Sequence, residues 1–393
     1  MMSNKKLFSD KWDERGIENI YPSKEDLRKF IKAGNKLDLF WGIDPTGTTL
    51  HIGHGTIMLK LRKLQAEGHK IRILIGDFTA QIGDPTDKKS ARVKLTPVEV
   101  KENYKKYRAQ IGKILDLSKV EFVFNNDWLK KMTFSEVIEL ASEFTVAQMI
   151  ERDMFQERLK KGEPIYLHEF LYPLMQGYDS VVLDVNAEIG ANDQTFNMLA
   201  GRTMMKKRDK EKFVIATKLL VDPTGKKMGK TEGNMVTLED SPTQMYGKVM
   251  SWPDLLMPLA YEICTELSSD EVEKVLSGHP RDAKMRLARE VVANFSGEKD
   301  VEKAEKDFID KFQNQTVPEN IKEYKIEKGT LLKDFLIKNK ILPSTSEFKR
   351  LVEGGGVSTF PKQIKIKEIN FTIREKVVIR VGKKVFIKIT LKK

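Results

Sequence analysis

One segment constrains the fold more than any other. An apolar run, LDLFWGI from Leu37 to Ile43, breaks at Asp44-Pro45 into turn text and resumes at Ile52 with a helical period. Ile57, Leu61 and Leu64 fall at i, i+4 and i+7 on one face, Gly68 stops the helix, and IRILI (Ile71 to Ile75) reads as a second buried strand. This is a βαβ unit in a parallel sheet. Its crossover is expected to be right-handed, with the helix N-terminus at the carboxyl end of the first strand, where open α/β sheets bind ligands.

The residues at that helix start suit an anion. His51 and His54 stand three apart, where unpaired N–H groups and the helix dipole favour phosphate, and their rings can donate to oxygens that gain charge. Gly53 lets a flat base approach the backbone. Far downstream, Lys227-Met228-Gly229-Lys230-Thr231 lies among Gly225, Gly229 and Gly233 and supplies mobile positive charge. The two stretches together read as a nucleotide site. A metal site would want i, i+4 histidines or added cysteine and carboxylate ligands, so no protein-bound metal is expected.

HIGH at 51–54 followed by KMGKT at 227–231 resembles the signature pair of class I aminoacyl-tRNA synthetases, and the surrounding text is similar to the bacterial tyrosyl-tRNA synthetases. The similarity extends through Gly42-Ile-Asp-Pro-Thr46, IGDPTDKKS from Ile82, Tyr172-x3-Gln176-x2-Asp179 and Asp193-Gln194. It implies an α/β fold: a Rossmann-like parallel-sheet catalytic domain (1–240), an α-helical anticodon-facing domain (241–323), a linker (324–330) and a small α+β S4-like RNA-binding domain (331–393). The implied reaction joins L-tyrosine to ATP, which is used with Mg2+, releases pyrophosphate and passes tyrosine to tRNA(Tyr). A homodimer in the cytoplasm is implied as well.

Residue roles follow from the same resemblance. His51, His54, Thr46, Lys227, Lys230 and Thr231 act on the phosphates, and Lys88 and Arg92 resemble a second clamp. Asp44, Gly53, Asp193, Met228 and Gly229 bind ATP, Asp44 also facing the substrate amine. Tyr172, Gln176 and Asp84 hold the ammonium group, Gln194 touches the tyrosine, and Asp179 accepts its phenolic hydroxyl. A ring without that hydroxyl would leave a buried carboxylate without its donor. Two departures stand out. Phe40 replaces a tyrosine that also bonds the substrate hydroxyl in many members, removing a bond worth roughly 0.5 to 1.5 kcal/mol. Ala191 replaces a glycine of the usual Gly-Gly-x-Asp-Gln.

Other features of the chain bound the reading. Cys264 is the only cysteine, which excludes an internal disulfide and suggests a reducing compartment, and no stretch is long and apolar enough to span a bilayer. Leu331 to Lys393 holds 16 Lys and Arg against 5 Asp and Glu, a net +11 of the chain's +12. That tail reads as two short helices followed by alternating strands, and Lys349, Arg350, Lys383 and Lys384 are its candidate RNA phosphate contacts. In the middle, strands are expected at Lys119–Phe124, Leu183–Ile189 and Lys212–Leu220, and helices at Pro97–Leu115, Thr145–Arg158 and from Ser241 to about Glu319. Two alternatives fit parts of this text. A tryptophanyl-type synthetase would keep the βαβ site without needing the basic tail, and a non-catalytic RNA-binding protein on a synthetase scaffold would keep the tail.

Overall fold

The computed structural model describes residues 12–84, 95–221, 235–312, 321–360, 364–382 and 385–392. Contacts divide the chain into two units, Met1–Phe308 and Ile309–Lys393.

Among the described residues of the first unit, six strands form one sheet: β1 (Ile17–Tyr21), β2 (Asp38–Ile43), β3 (Lys70–Ile75), β4 (Val120–Phe124), β5 (Ala187–Ala191) and β6 (Phe213–Thr217), in the order β1-β6-β5-β2-β3-β4. All neighbours are parallel except β1, which runs antiparallel to β6, so the sheet is mixed, not parallel throughout. The chain builds outward from β2 through β3 to β4, then returns to lay β5 on the other side of β2. Side by side, β2 and β5 form the switch point at which such sheets open a crevice.

The helix Ile52–Ala66 joins β2 to β3 and is buried on more than the one face expected, with Thr56, Met58, Leu59 and Lys60 also inside. Helices from beyond the sheet pack around it. Pro242–Met250, Met257–Cys264 and Pro280–Phe295 supply Tyr246, Tyr261, Leu287 and Phe295 to the same core as Ile57, Leu61 and the sheet residues Leu39 and Ile73, and Ser269–Leu276 packs Val272 and Leu276 against it. The helical text from Ser241 is therefore borne out as far as Phe312, the remainder to about Glu319 lying outside the described residues, but the expected boundary at 240 is no break in packing, because one hydrophobic core runs across it.

Several bounds differ from the sequence expectation. The segment Leu183–Ile189 is not a strand from its start: the helix Leu167–Leu183 reaches Leu183, Asp184 turns the chain with a left-handed φ of 51°, and β5 begins at Ala187. The helical stretches from Pro97 and Thr145 are each interrupted, into Pro97–Tyr104 with Tyr107–Ile111 and Val146–Ile150 with Asp153–Lys161.

The second unit has its own core, centred on Leu332, Phe348, Ile379 and Ile389. Helices Leu332–Lys338 and Thr345–Glu353 precede most of its strands: β7 (Lys322–Ile326), β8 (Thr330–Leu331), β9 (Val357–Phe360), β10 (Thr372–Ile373), β11 (Val377–Val381) and β12 (Val385–Leu391). Their sheet runs β7-β12-β11-β9, with β8 and β10 paired separately. The expected linker at 324–330 is overturned. Tyr324, Lys325 and Ile326 pair with Ile389, Thr390 and Leu391 in parallel register, and Ile326 is buried. Lysines had masked the alternation: Lys322, Glu323 and Lys325 face out while Tyr324 packs its ring edge-on against Phe335, with centroids 5.1 Å apart.

Candidate active site

At the carboxyl ends of β2 and β5 the sheet opens into a cavity of about 270 Å³. Phe40, Asp44, Thr46, His51, Gly53, His54, Asp84, Tyr172, Gln176, Asp179, Asp193 and Gln194 all line it, so twelve residues expected from the sequence share one wall system. Lys88 and Arg92, and Lys227 to Thr231 with Met228, Gly229 and Lys230, lie outside the described residues. The flanks of the second stretch are described. Leu219, ahead of it, lines the cavity. Behind it, Val236 accepts from the Ile52 N–H at 2.9 Å, Leu238 donates to Leu50 at 2.9 Å, and Thr237 bridges His51. Four residues separate Thr231 from Val236, which is held against the start of the histidine helix.

The histidines cap that helix. His51 is its N-cap, its Nδ1 accepting from the Gly53 N–H at 3.1 Å, while His54 Nδ1 accepts from the His51 N–H at 3.1 Å. With both Nδ1 atoms used as acceptors, each neutral ring carries its proton on Nε2 and is a donor there. The rings lie 3.9 Å apart, and a Cβ on Gly53 would sit 3.0 Å from the His51 ring, so this position needs glycine for a close approach.

Tyr172, Gln176 and Asp179 project from one face of the helix Leu167–Leu183, which continues through Pro173, its seventh residue. Their partners were not all foreseen. The Tyr172 hydroxyl donates to Asp44 Oδ2 at 2.8 Å, and Thr79 donates to Asp44 Oδ1 at 2.6 Å. Asp179 is fully buried, and burial raises its carboxyl well above the ordinary range, against the pull of its donors Trp128 Nε1 at 2.8 Å and Asn125 Nδ2 at 3.3 Å. The expectation that a ligand without a hydroxyl would orphan this carboxylate is thereby corrected: two protein donors already serve it. Asp84 is likewise engaged, to Arg152 Nη2 at 3.0 Å and Gln194 Nε2 at 2.7 Å, so part of its charge is neutralised before any ammonium arrives.

Behind Gln176 lies a charged pair that pattern reading passed over. Glu188 on β5 accepts from Gln176 Nε2 at 2.9 Å and is joined to Lys212, which is wholly buried; burial lowers the lysine pKa and Glu188 opposes that shift. Asn197 Nδ2 donates to Gln176 at 3.0 Å and to Gln194 at 2.9 Å, linking the two glutamines. Trp128 and Asn125 carried a signal in retrospect, since NNDW directly follows the β4 text. Single charges within AEIGA and EKF gave none.

The family model for class I tRNA synthetases (W and Y) matches residues 32–313. The chain belongs to the class I tRNA synthetases. The chain is 41% identical over 400 residues to a tyrosine–tRNA ligase of Carboxydothermus hydrogenoformans, covering 97% of each chain. A tyrosine–tRNA ligase of Moorella thermoacetica is 41% identical over 384 residues, 95% of this chain and 93% of that one. Among solved structures, a C-terminally truncated mitochondrial tyrosyl-tRNA synthetase of Coccidioides posadasii superposes with a TM-score of 0.60 at 26% identity, over 75% of this chain and 89% of that one. As a class I synthetase, the chain has its HIGH residues at the helix start that faces the β2/β5 crevice.

On the second unit, Lys349 and Arg350 lie exposed on the helix Thr345–Glu353, next to Glu353 at 3.9 Å and Glu347 at 3.3 Å. Such exposed pairs are screened and weak, leaving both cations able to exchange partners. Lys383 and Lys384 are outside the described residues. No helix among the described residues is long and apolar enough to cross a membrane.

Proposed function

We propose that this chain is a tyrosine–tRNA ligase, activating L-tyrosine with ATP to tyrosyl-adenylate and pyrophosphate and then transferring tyrosine to the terminal adenosine of tRNA(Tyr). The observation that carries this reading is the shared cavity: histidines capping the crevice helix on one side, and Tyr172, Gln176 and Asp179 on the other. The relatives' names point the same way.

The substrate carboxylate is already ionised at neutral pH, so the first step needs no protein nucleophile. Catalysis then consists of positioning the carboxylate against the α-phosphate and stabilising the spreading negative charge. In this reading Nε2–H of His51 and His54 donate to phosphate oxygens, Thr46 adds a contact, and Lys227, Lys230 and Thr231 close on the pyrophosphate that leaves as its Mg2+ chelate. Lys88 and Arg92 form the second clamp, Asp193 accepts from the ribose, and Met228 and Gly229 support the base. Tyr172, Gln176 and Asp84 surround the ammonium, Gln194 lies beside the amino acid, and Asp179 accepts the phenolic hydroxyl beside Phe40.

Residues 331–393 serve in this proposal as an S4-like RNA-binding domain that holds tRNA through Lys349, Arg350, Lys383 and Lys384. A homodimer is proposed too. Phe134, Ile138, Val146, Leu159, Tyr166 and Leu167 are large apolar side chains left exposed within one stretch of the first unit, and Phe134 and Leu167 are 80% and 83% exposed. Apolar exposure of this kind marks an interaction surface.

ATP/pyrophosphate exchange measured with each amino acid separately tests the assignment. Tyrosine should support exchange and phenylalanine and tryptophan should not; exchange with tryptophan alone would move the chain to the other branch of the family. Lys230→Ala should slow adenylate formation far more than it weakens tyrosine binding, because the lysine meets charge that develops late.

A further inference from the structure

We propose that the buried Lys212–Glu188 pair is a positioning device that fixes the Gln176 amide with its carbonyl oxygen toward the ammonium group of the amino-acid substrate, an inference that rests on the tyrosine-activating function above. A buried ammonium is costly unless its N–H groups find acceptors, and here all three do. Lys212 Nζ donates to Glu188 Oε2, to Ser180 Oγ at 2.6 Å and to the Met198 carbonyl at 3.2 Å. Room for it is made by Gly201, where a Cβ would stand 2.5 Å from Nζ. The same ammonium lies 5.7 Å from the ring centroid of Phe40, directly behind the cavity wall.

Consequences pass from this pair to the ligand side through one amide. Ionised Glu188 can only accept, so Gln176 must present Nε2 to it, as observed at 2.9 Å. The carbonyl oxygen of Gln176 is then turned the other way. It accepts from Asn197 Nδ2 at 3.0 Å and keeps a second lone pair, which suits an incoming ammonium, a group that only donates. Without Lys212, nothing holds the Glu188 carboxylate in place as the acceptor for Gln176 Nε2, and the amide is free to reverse. Lys212 touches no substrate in this scheme and acts through Glu188 and Gln176.

The test uses the full chain with Lys212→Met, Glu188→Gln and the double variant Lys212→Met/Glu188→Gln, which buries no unpaired charge if Lys212→Met fails to fold. Binding of tyrosine and of its desamino analogue, 3-(4-hydroxyphenyl)propanoate, is measured by calorimetry, alongside pyrophosphate exchange. The device predicts tyrosine affinity lowered about tenfold or more, seen chiefly in KM for tyrosine, with the analogue bound within about twofold of the parent because it has no ammonium to read. Unchanged tyrosine affinity in the folded double variant would overturn the proposal, as would equal losses for tyrosine and the analogue. A parent chain without tyrosine-dependent exchange would instead overturn the function on which the device rests.

Discussion

Asp179 concentrates the tension between folding and recognition in one side chain. It is fully buried with its carboxyl pushed up by that burial, yet Trp128 and Asn125 both donate to it. Each carboxylate oxygen has two acceptor sites, so a phenolic hydroxyl can be added without displacing either donor. Asp179→Ala is expected to lower tyrosine affinity about 10- to 100-fold, the cost of leaving a buried phenolic hydroxyl without its acceptor, while KM for ATP stays within about twofold. Titration of tyrosine and ATP separately checks this, and wild-type tyrosine affinity would remove Asp179 from the pocket. The position of Asp179 was legible in the sequence because it shares a helical face with Tyr172 and Gln176. Its neighbours were not, since Asn125 directly follows another strand and Trp128 lies in the short helix Asn126–Leu129 after it, 54 and 51 residues away, and no local period links them. Glu188 and Lys212 were hidden for a further reason. A charge inside an apolar strand is read as a strand edge, and only the packed structure reveals that the two cancel.

At the scale of elements, the helix Ile52–Ala66 does two jobs. Its N-terminus, capped by His51, faces the crevice, and its body is buried so completely that Lys60 is carried inside with it. The βαβ pattern was plain from the sequence because periodicity changes from strand to helix within a few residues. The depth of burial was not plain, because it depends on helices more than 170 positions downstream, including the one that carries Phe295. Lys60 pays for this placement: burial, with Lys63 and Arg15 nearby, lowers its pKa from 10.5 to about 7. Its folded pKa lies below its unfolded one, so between about pH 7 and 10.5 the unfolded chain binds the extra proton and this group's contribution to stability grows as pH rises. Measured by urea unfolding, the wild-type chain should gain about 2 kcal/mol relative to Lys60→Met between pH 7 and 9. A difference between the two that is constant with pH would place the lysine in water.

For the whole molecule the division of labour is electrostatic. Of the net charge of +12, +11 lies in Leu331–Lys393, while the cavity belongs to the first unit and each unit has its own core. The basic tail and its helix–helix–strand order were readable from composition and alternation, but the start of that unit was not. Strand β7 completes the sheet through pairing with β12, a partner about 65 residues away that no local signal announces. Deleting residues 321–393, from the β7 strand onward, should therefore leave tyrosine-dependent pyrophosphate exchange within about twofold of the full chain, because no residue of the cavity is lost. Charging of tRNA should fall steeply. For the full chain, four phosphate contacts imply a slope of log affinity against log salt of about −3 to −4, so raising salt fourfold weakens tRNA binding roughly 50- to 150-fold. In the deleted chain the slope should be shallower by about that amount. Equal slopes for both chains, measured by filter binding across a salt series, would mean that the tRNA is held by the first unit and that the basic tail is a solvated surface.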